Sequence, residues 1–245
     1  MALVRRTMDD AAYYHGIRMM SAAGVHEEVE RLALKRFPAD VRATTRVLDL
    51  GAGQGALAQR LIDAGFTNLT AWELDPDRFV AEGATLRAVD LNEPFPADAA
   101  GGFELVTAVE VIEHLENLYA FMREVAGVLS PDGVLLLTTP NVESTLSRLK
   151  FLLKGELRWF GEDDYKAWGH VQPITSWQLD KALRQSGLRI LARSHNLRDA
   201  LLVMDSRGRT AVAAIGAALL TPLLRGHTRG DIHVWAIGHA PVDGG

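Results

Sequence analysis

The chain has 245 residues, 48% of them apolar and 23% charged, with a formal net charge of −5 and no cysteine. That size and balance suit one domain with a sizeable core. The acidic charge argues against a general binder of nucleic acid or anionic lipid, and the lack of cysteine removes disulfides and thiolate-held zinc or iron–sulfur centres.

Residues 1–16 hold no apolar run long enough for a secretion signal, so a cytoplasmic location is expected. In "GVHEEVERLALKRF", Val25, Val29, Leu32 and Phe37 fall close to one helical face, predicting a helix over 24–37 within an N-terminal helical cap, 1–44. "TRVLDLGAGQG" predicts a buried strand running into a glycine turn, and "ALAQRLIDAGF" a helix stopped near Gly65. "NLTAWELD" and "LRAVDLNEPFP" predict a second and a third strand, the latter ending in a proline-marked loop. "FELVTAVEVIEHL" predicts a fourth strand and "VLLLTTPN" a fifth. Between them "NLYAFMREVAGVLSPDG" predicts a helix closed by a Pro-Asp-Gly turn. Helices over "SRLKFLLKGELRWF" and "TSWQLDKALRQSG" follow, the second capped by Thr175 or Ser176. The last two strands are "LRILARSHN" and "DIHVWAIGHA".

Strands alternating with helices at this spacing predict an α/β fold: a doubly wound, mostly parallel seven-stranded sheet with helical insertions, in a single domain spanning 1–245. The connection between the last two strands contains "AVAAIGAALLTPLL", Ala211 to Leu224, fourteen residues with little polar content. A membrane span needs roughly 20 such residues. The stretch reads as a core helix broken at Pro222, as a lid, or as a shallow peripheral membrane contact.

Gly51, Gly53 and Gly55 follow the first core strand directly, where glycine lets the backbone turn sharply and approach a ligand. "GAGQGA" also fits the G-x-G-x-x-A nucleotide fingerprint, with Glu73 placed like a ribose-binding acid. Asp49 separates the two readings. A carboxylate at the strand end is poorly placed beside a pyrophosphate but suits the ammonium of S-adenosylmethionine (SAM).

With that residue, "VLDLGAGQG", "LTAWELDPDRF", "RAVDLNEPFP", "ELVTAVEVIEHL" and "VLSPDGVLLLTTPN" resemble, in order and spacing, the class I SAM-dependent methyltransferases across 45–141, the cofactor-binding core. The resemblance implies a Rossmann-like methyltransferase fold and SAM as cofactor. It also implies that Asp49, Gly51, Gly53 and Gly55 hold the methionine end, and that Glu73 accepts from the ribose hydroxyls. Leu74 would pack on adenine, Asp90 would meet its exocyclic amine, Leu91 would supply a backbone contact, and Glu110 would border the cofactor.

Glu110, Glu113 and His114 stand at i, i+3 and i+4, at the carboxyl end of the fourth strand, where open parallel sheets bind ligands. With His170 they offer two carboxylates and two imidazoles, a donor set that suits a divalent metal such as Mg, Mn or Zn. Alternatively Glu113, His114 and His170 act as catalytic residues, a histidine taking a proton as base, or His114 merely orders its turn. The Glu-x-x-Glu-His pattern resembles the ubiquinone-type O-methyltransferases and the small-RNA 3′-terminal 2′-O-methyltransferases. "GHVQPITSWQLDKALRQSGL" looks more like bacterial small-molecule and glycan methyltransferases. The chain has no evident basic tract for a phosphate backbone, so the expected acceptor is a small molecule, glycan or lipid-linked intermediate, methylated on oxygen. RNA, or SAM binding without catalysis, stands as the alternative.

By the resemblance, the segments flanking the core choose the acceptor. Tyr14, His15, Arg18 and His26 are candidates in the N-terminal segment. Arg148, Trp159, Phe160, Tyr165, Trp168 and His170 are candidates in 142–175, either as an acceptor lid or as packing. Residues 176–245 supply the final helix and strands.

Overall fold

The segment ahead of the first predicted helix is a β-ribbon. His15 and Gly16 both take positive φ, 48° and 81°, the pair of left-handed residues that a tight two-residue hairpin requires. They join β1 (Tyr13–Tyr14) to β2 (Ile17–Arg18) in antiparallel register. The predicted helical cap is therefore only partly helical in this computed structural model, which describes residues 13–196, 221–224 and 226–241. Helix α1 (Val25–Arg36) follows, with Glu27 and Glu28 in its first turn and Lys35 and Arg36 in its last, each matched to the helix dipole. Its Val25 and Val29 are fully buried.

Seven strands form the main sheet in the order β5 (Thr85–Ala88), β4 (Leu69–Glu73), β3 (Val47–Leu50), β6 (Phe103–Val109), β7 (Leu129–Pro140), β9 (Ile232–His239), β8 (Leu188–His195). The first five run parallel, and β9 is antiparallel to both its neighbours. Every residue of β3 is buried, as an interior strand covered on both faces demands.

Alternate residues serve opposite layers. Leu48, Leu50, Leu135 and Leu137 join a core with α3 (Leu118–Val128) and α6 (Ser176–Gln185). Val47, Val134 and Leu136 join a second with α1 and α2 (Ala56–Asp63). The chain reverses its winding between β3 and β6, so the carboxyl ends of those strands open a crevice at the switch point.

Three elements differ from the sequence expectation. The third strand stops at Ala88, short of the predicted run. The Pro-Asp-Gly segment is an irregularity inside β7: Phe103 pairs with Leu129 but Leu105 pairs with Val134, so the extra residues bulge out of the ladder. The helix predicted over 147–160 is α4 (Thr145–Lys154), ended by Gly155 at φ 72°, and a separate short helix α5 (Glu162–Trp168) follows. Helix α6 has Thr175 as its cap, in a reciprocal box with Gln178. Of the apolar stretch 211–224, residues 211–220 lie outside the described residues, and Thr221–Leu223 form a single 3-10 turn. Among the described residues no helix is long and apolar enough to cross a membrane.

Candidate active site

The crevice begins at the glycine loop. Gly51, Gly53 and Gly55 have φ of 65°, 56° and 88°, a region that strains any residue with a Cβ. A Cβ on Gly55 would come within 2.6 Å of Ala81 Cβ and 2.7 Å of Phe79 Cε2; one on Gly51 would meet Val111 Cγ2 at 2.7 Å, whereas one on Gly53 meets only Met20 Cγ at 3.6 Å. Gly55→Ala is therefore expected to cost about 2 kcal/mol or more, and Gly53→Ala distinctly less. Urea denaturation of the two variants checks this; equal costs would mean that space at Gly55 is not what fixes the loop.

Asp49 lies beneath this loop, 2% exposed. Thr107 Oγ1 donates to its Oδ1 at 2.6 Å, while Oδ2 is buried without a hydrogen-bond partner. Burial pushes the carboxyl up to about 7, against the Thr107 bond and with some help from Glu73. Asp49, the glycine loop, Arg18 and His26 line one small cleft. His26 is buried and neutral, its ring pushed down to about 3 by burial and secondarily by Arg60.

Glu73 closes the loop from β4. Its Oε2 accepts from the Gly53 N–H at 2.7 Å, and its Oε1 accepts from the N–H groups of Leu74 and Asp75. Leu74 is 67% exposed. Asp90, just past β5, accepts from the Asn92 N–H at 2.9 Å, and Leu91 is half-buried.

Beyond Gly51 the crevice widens into a cavity of about 380 Å3, whose wall includes Arg18, Glu110, His114, Trp159, Trp168 and His170. Glu110 has φ 54°, which costs a non-glycine residue on the order of 1 kcal/mol. Two bonds to β7 hold it there: its N–H donates to Thr138 Oγ1 at 3.0 Å, and that hydroxyl donates to Glu110 Oε1 at 3.1 Å. Burial pushes this carboxyl up to about 7. Glu113, in the 3-10 turn Ile112–His114, is fully buried. Thr139 Oγ1 donates to its Oε2 at 2.9 Å, and its Oε1 has no hydrogen-bond partner. Burial, then the Glu110 charge, raises its pKa well above the ordinary range.

The backbone carbonyl of Glu113 accepts from the N–H groups of Val171 and Gln172, which brings His170 beside His114 with ring centroids 5.0 Å apart. His114 Nδ1 faces the Gly169 carbonyl at 3.3 Å and His170 Nδ1 faces the Trp159 carbonyl at 2.7 Å. Carbonyl oxygen only accepts, so both rings carry their proton on Nδ1 and leave Nε2 as an electron-pair donor. Burial, and next the neighbouring His170, lower the pKa of His114.

Glu113, His114 and His170 each present one donor atom within 4.8 Å of the others. Glu110, a predicted fourth ligand, is outside that cluster because Thr138 ties it to β7. Tyr14 and His15, predicted acceptor contacts, instead meet Asp63 on α2, at 2.9 and 3.9 Å. Phe160 and Tyr165 face a neighbouring groove, and Arg148 lies near Gly226. Sequence reasoning missed Thr107, Thr138 and Thr139. The signal was there: a hydroxyl buried at the end of an apolar strand needs a partner.

A buried carboxylate under a glycine loop, an acid at the end of the next strand and an acceptor-sized cavity at the switch point define a methyltransferase domain of the class that takes SAM as donor. Residues 22–193 match the model of the family described as "Methyltransferase domain", and the chain belongs to that family. The chain is similar to a ubiquinone biosynthesis O-methyltransferase from Caulobacter sp. (strain K31), with 30% identity over 154 residues, 56% of this chain and 61% of the relative. It thus spans about three fifths of that curated relative's length.

Among solved structures, a SAM-dependent methyltransferase from Archaeoglobus fulgidus has a TM-score of 0.58 and 16% identity, covering 87% of this chain and 94% of that one. One from Mesorhizobium loti has a TM-score of 0.52 and 16% identity, covering 87% and 99%. These likenesses establish the Rossmann-like methyltransferase fold.

Proposed function

We propose that this protein transfers the methyl group of SAM to a hydroxyl oxygen of a small-molecule, glycan or lipid-linked acceptor. The observation that carries the reading is the pair of histidines, His114 and His170, each with its Nδ1 proton directed to a carbonyl, on the wall of the cavity that adjoins the glycine loop.

Asp49, with its unpartnered oxygen, takes the ammonium of the donor, and the Gly51–Gly55 backbone lets the methionyl chain lie close. Glu73 holds the ribose hydroxyls. Its four lone-pair sites allow this without releasing the loop. Leu74 packs on the adenine ring, with Asp90 and Leu91 at its polar edge. Glu110 marks the border between donor and acceptor.

The acceptor oxygen attacks the methyl carbon in line, the carbon–sulfur bond breaks, and sulfur keeps the electron pair. The hydroxyl proton goes to Nε2 of His114 or His170, and the lowered pKa of His114 keeps it unprotonated near neutrality. Segment 142–175 serves as the acceptor lid, with Trp159 and Trp168 excluding water.

The donor cluster also fits a divalent metal: Glu113, His114 and His170 are one carboxylate and two imidazoles, and Glu113 Oε1 is buried without a partner. A bound cation would lower the pKa of the acceptor hydroxyl. Incubation with methyl-labelled SAM and a panel of phenols, sugars and lipid-linked glycans tests the reaction. Labelled methyl ethers are expected; label found only on nitrogen or carbon would overturn the oxygen assignment.

A further inference from the structure

At the same sheet edge, where β8 ends and β9 begins, lies a second cavity of about 340 Å3. Arg193, Ser194, His195, His227, Arg229 and His233 line it, and among the described residues no acidic side chain does. Arg193, His195 and His233 share one face of the sheet, since β8 and β9 pair Arg193 with Trp235 and His195 with His233.

Three features mark the cavity as built for an anion. Arg193 Nη1 lies 2.9 Å from His227 Nε2, so its guanidinium rests on an imidazole, not on a carboxylate. Among the described residues neither Arg193 nor Arg229 has a carboxylate in ion-pair contact. Of the nearby acids, Glu28 accepts from Arg31 and from the cavity-lining Ser194, Glu143 accepts from the Ser176 N–H, and Asp231 accepts from Arg158. Finally, His233 lines the cavity only 3% exposed, with Nε2 lacking any hydrogen-bond partner. A buried polar atom of this kind is unfavourable until a ligand satisfies it.

The wall is also fixed in place. Asn141, just past the end of β7, donates through Nδ2 to the carbonyls of His227, Arg229 and Gly230 at 3.0, 2.9 and 3.1 Å. Preorganised guanidinium and imidazole donors around a small cavity match the oxygens of a phosphate better than those of a lone carboxylate, because each phosphate offers several charge-assisted acceptors.

We propose that this corner is a binding site for the phosphate or diphosphate group of an ester ligand, separate from the methyl-transfer cavity and independent of the reading given for it. Calorimetric titration of the full chain at low ionic strength with inorganic phosphate, and separately with pyrophosphate, tests it. One saturable site is expected, for pyrophosphate at least. R193Q/R229Q should weaken it by about tenfold or more and leave S-adenosylhomocysteine affinity unchanged, which verifies the fold. The single variant R193Q, at an exposed position, should show an intermediate loss.

Flotation with vesicles of phosphatidylglycerol against phosphatidylcholine separates the two sources of the group. Phosphatidylglycerol binding that pyrophosphate and the double variant both abolish assigns it to a lipid headgroup. Pyrophosphate binding without vesicle binding assigns it to a soluble ester. Absence of saturable binding by either probe, or equal pyrophosphate affinity in wild type and double variant, would overturn the proposal.

Discussion

Asp49→Asn is expected to abolish useful cofactor affinity while making the ligand-free protein more stable above neutral pH. In the folded chain this carboxyl titrates at about 7, against an ordinary value of 3.8. Burial is the main cause and Glu73 adds to it, while the Thr107 hydroxyl opposes both. Between those two values the folded chain holds a proton that the unfolded chain has released. Stability therefore falls as pH rises through that window, and above it the buried charge is carried in full.

Asparagine keeps the acceptor for Thr107 and removes the charge, so its thermal midpoint should exceed that of wild type by several degrees at about pH 8, by less at about pH 5, and by little below about pH 4. Donor binding runs the other way. An ammonium group beside Oδ2 favours the ionised carboxylate, so wild-type affinity for S-adenosylhomocysteine should rise with pH up to neutrality and then level. The variant should bind about a hundredfold more weakly or worse, with that pH dependence gone. Calorimetry and thermal melts on both proteins measure these effects. Undiminished affinity in Asp49→Asn would remove the cofactor assignment itself.

Glu113→Gln carries the second large effect. Glu113 is fully buried, with one oxygen on Thr139 and the other bare, and its charge is opposed both by burial and by Glu110. If the cluster holds a divalent cation, Mn2+ followed by electron paramagnetic resonance should bind wild type. It should bind Glu113→Gln and His170→Ala about a hundredfold more weakly or not at all. Methyl transfer should fall by at least a similar factor in both variants, and a chelator should reproduce the loss in wild type. S-adenosylhomocysteine affinity should not change. Full activity after exhaustive chelation would leave the histidines as bases and remove the metal.

The sheet was legible in the sequence because interior parallel strands need continuous apolar runs, and "RVLDL", "ELVTAV" and "VLLLTT" can bury on both faces. The glycine loop was legible for a similar reason, since three glycines in five residues after such a strand have few other uses. What the sequence hid was tertiary. Nothing local announces that Val171 and Gln172 bond the Glu113 carbonyl, although that contact sets His170 against His114. The ribbon at Tyr13–Arg18 escaped because two strands of two residues leave no periodicity to detect. The break in the predicted helix over 147–160 turns on one residue, Gly155, whose left-handed conformation ends α4. Tyr14 was an acceptor candidate because it lies in the N-terminal segment that the resemblance implies chooses the acceptor, but Asp63 and Arg60 on α2 engage it.

The placement of β9 has a consequence for biogenesis. It sits between β7 and β8 although it follows both in the chain, so neither of those strands can complete its ladder until the ribosome has released β9. A nascent chain thus carries an unpaired flank on β7, and later on β8 as well, until β9 emerges, the state in which sheet proteins mispair with one another. Refolding in the test tube should accordingly be slow, and pairing of exposed β7 and β8 flanks between chains should be its main hazard.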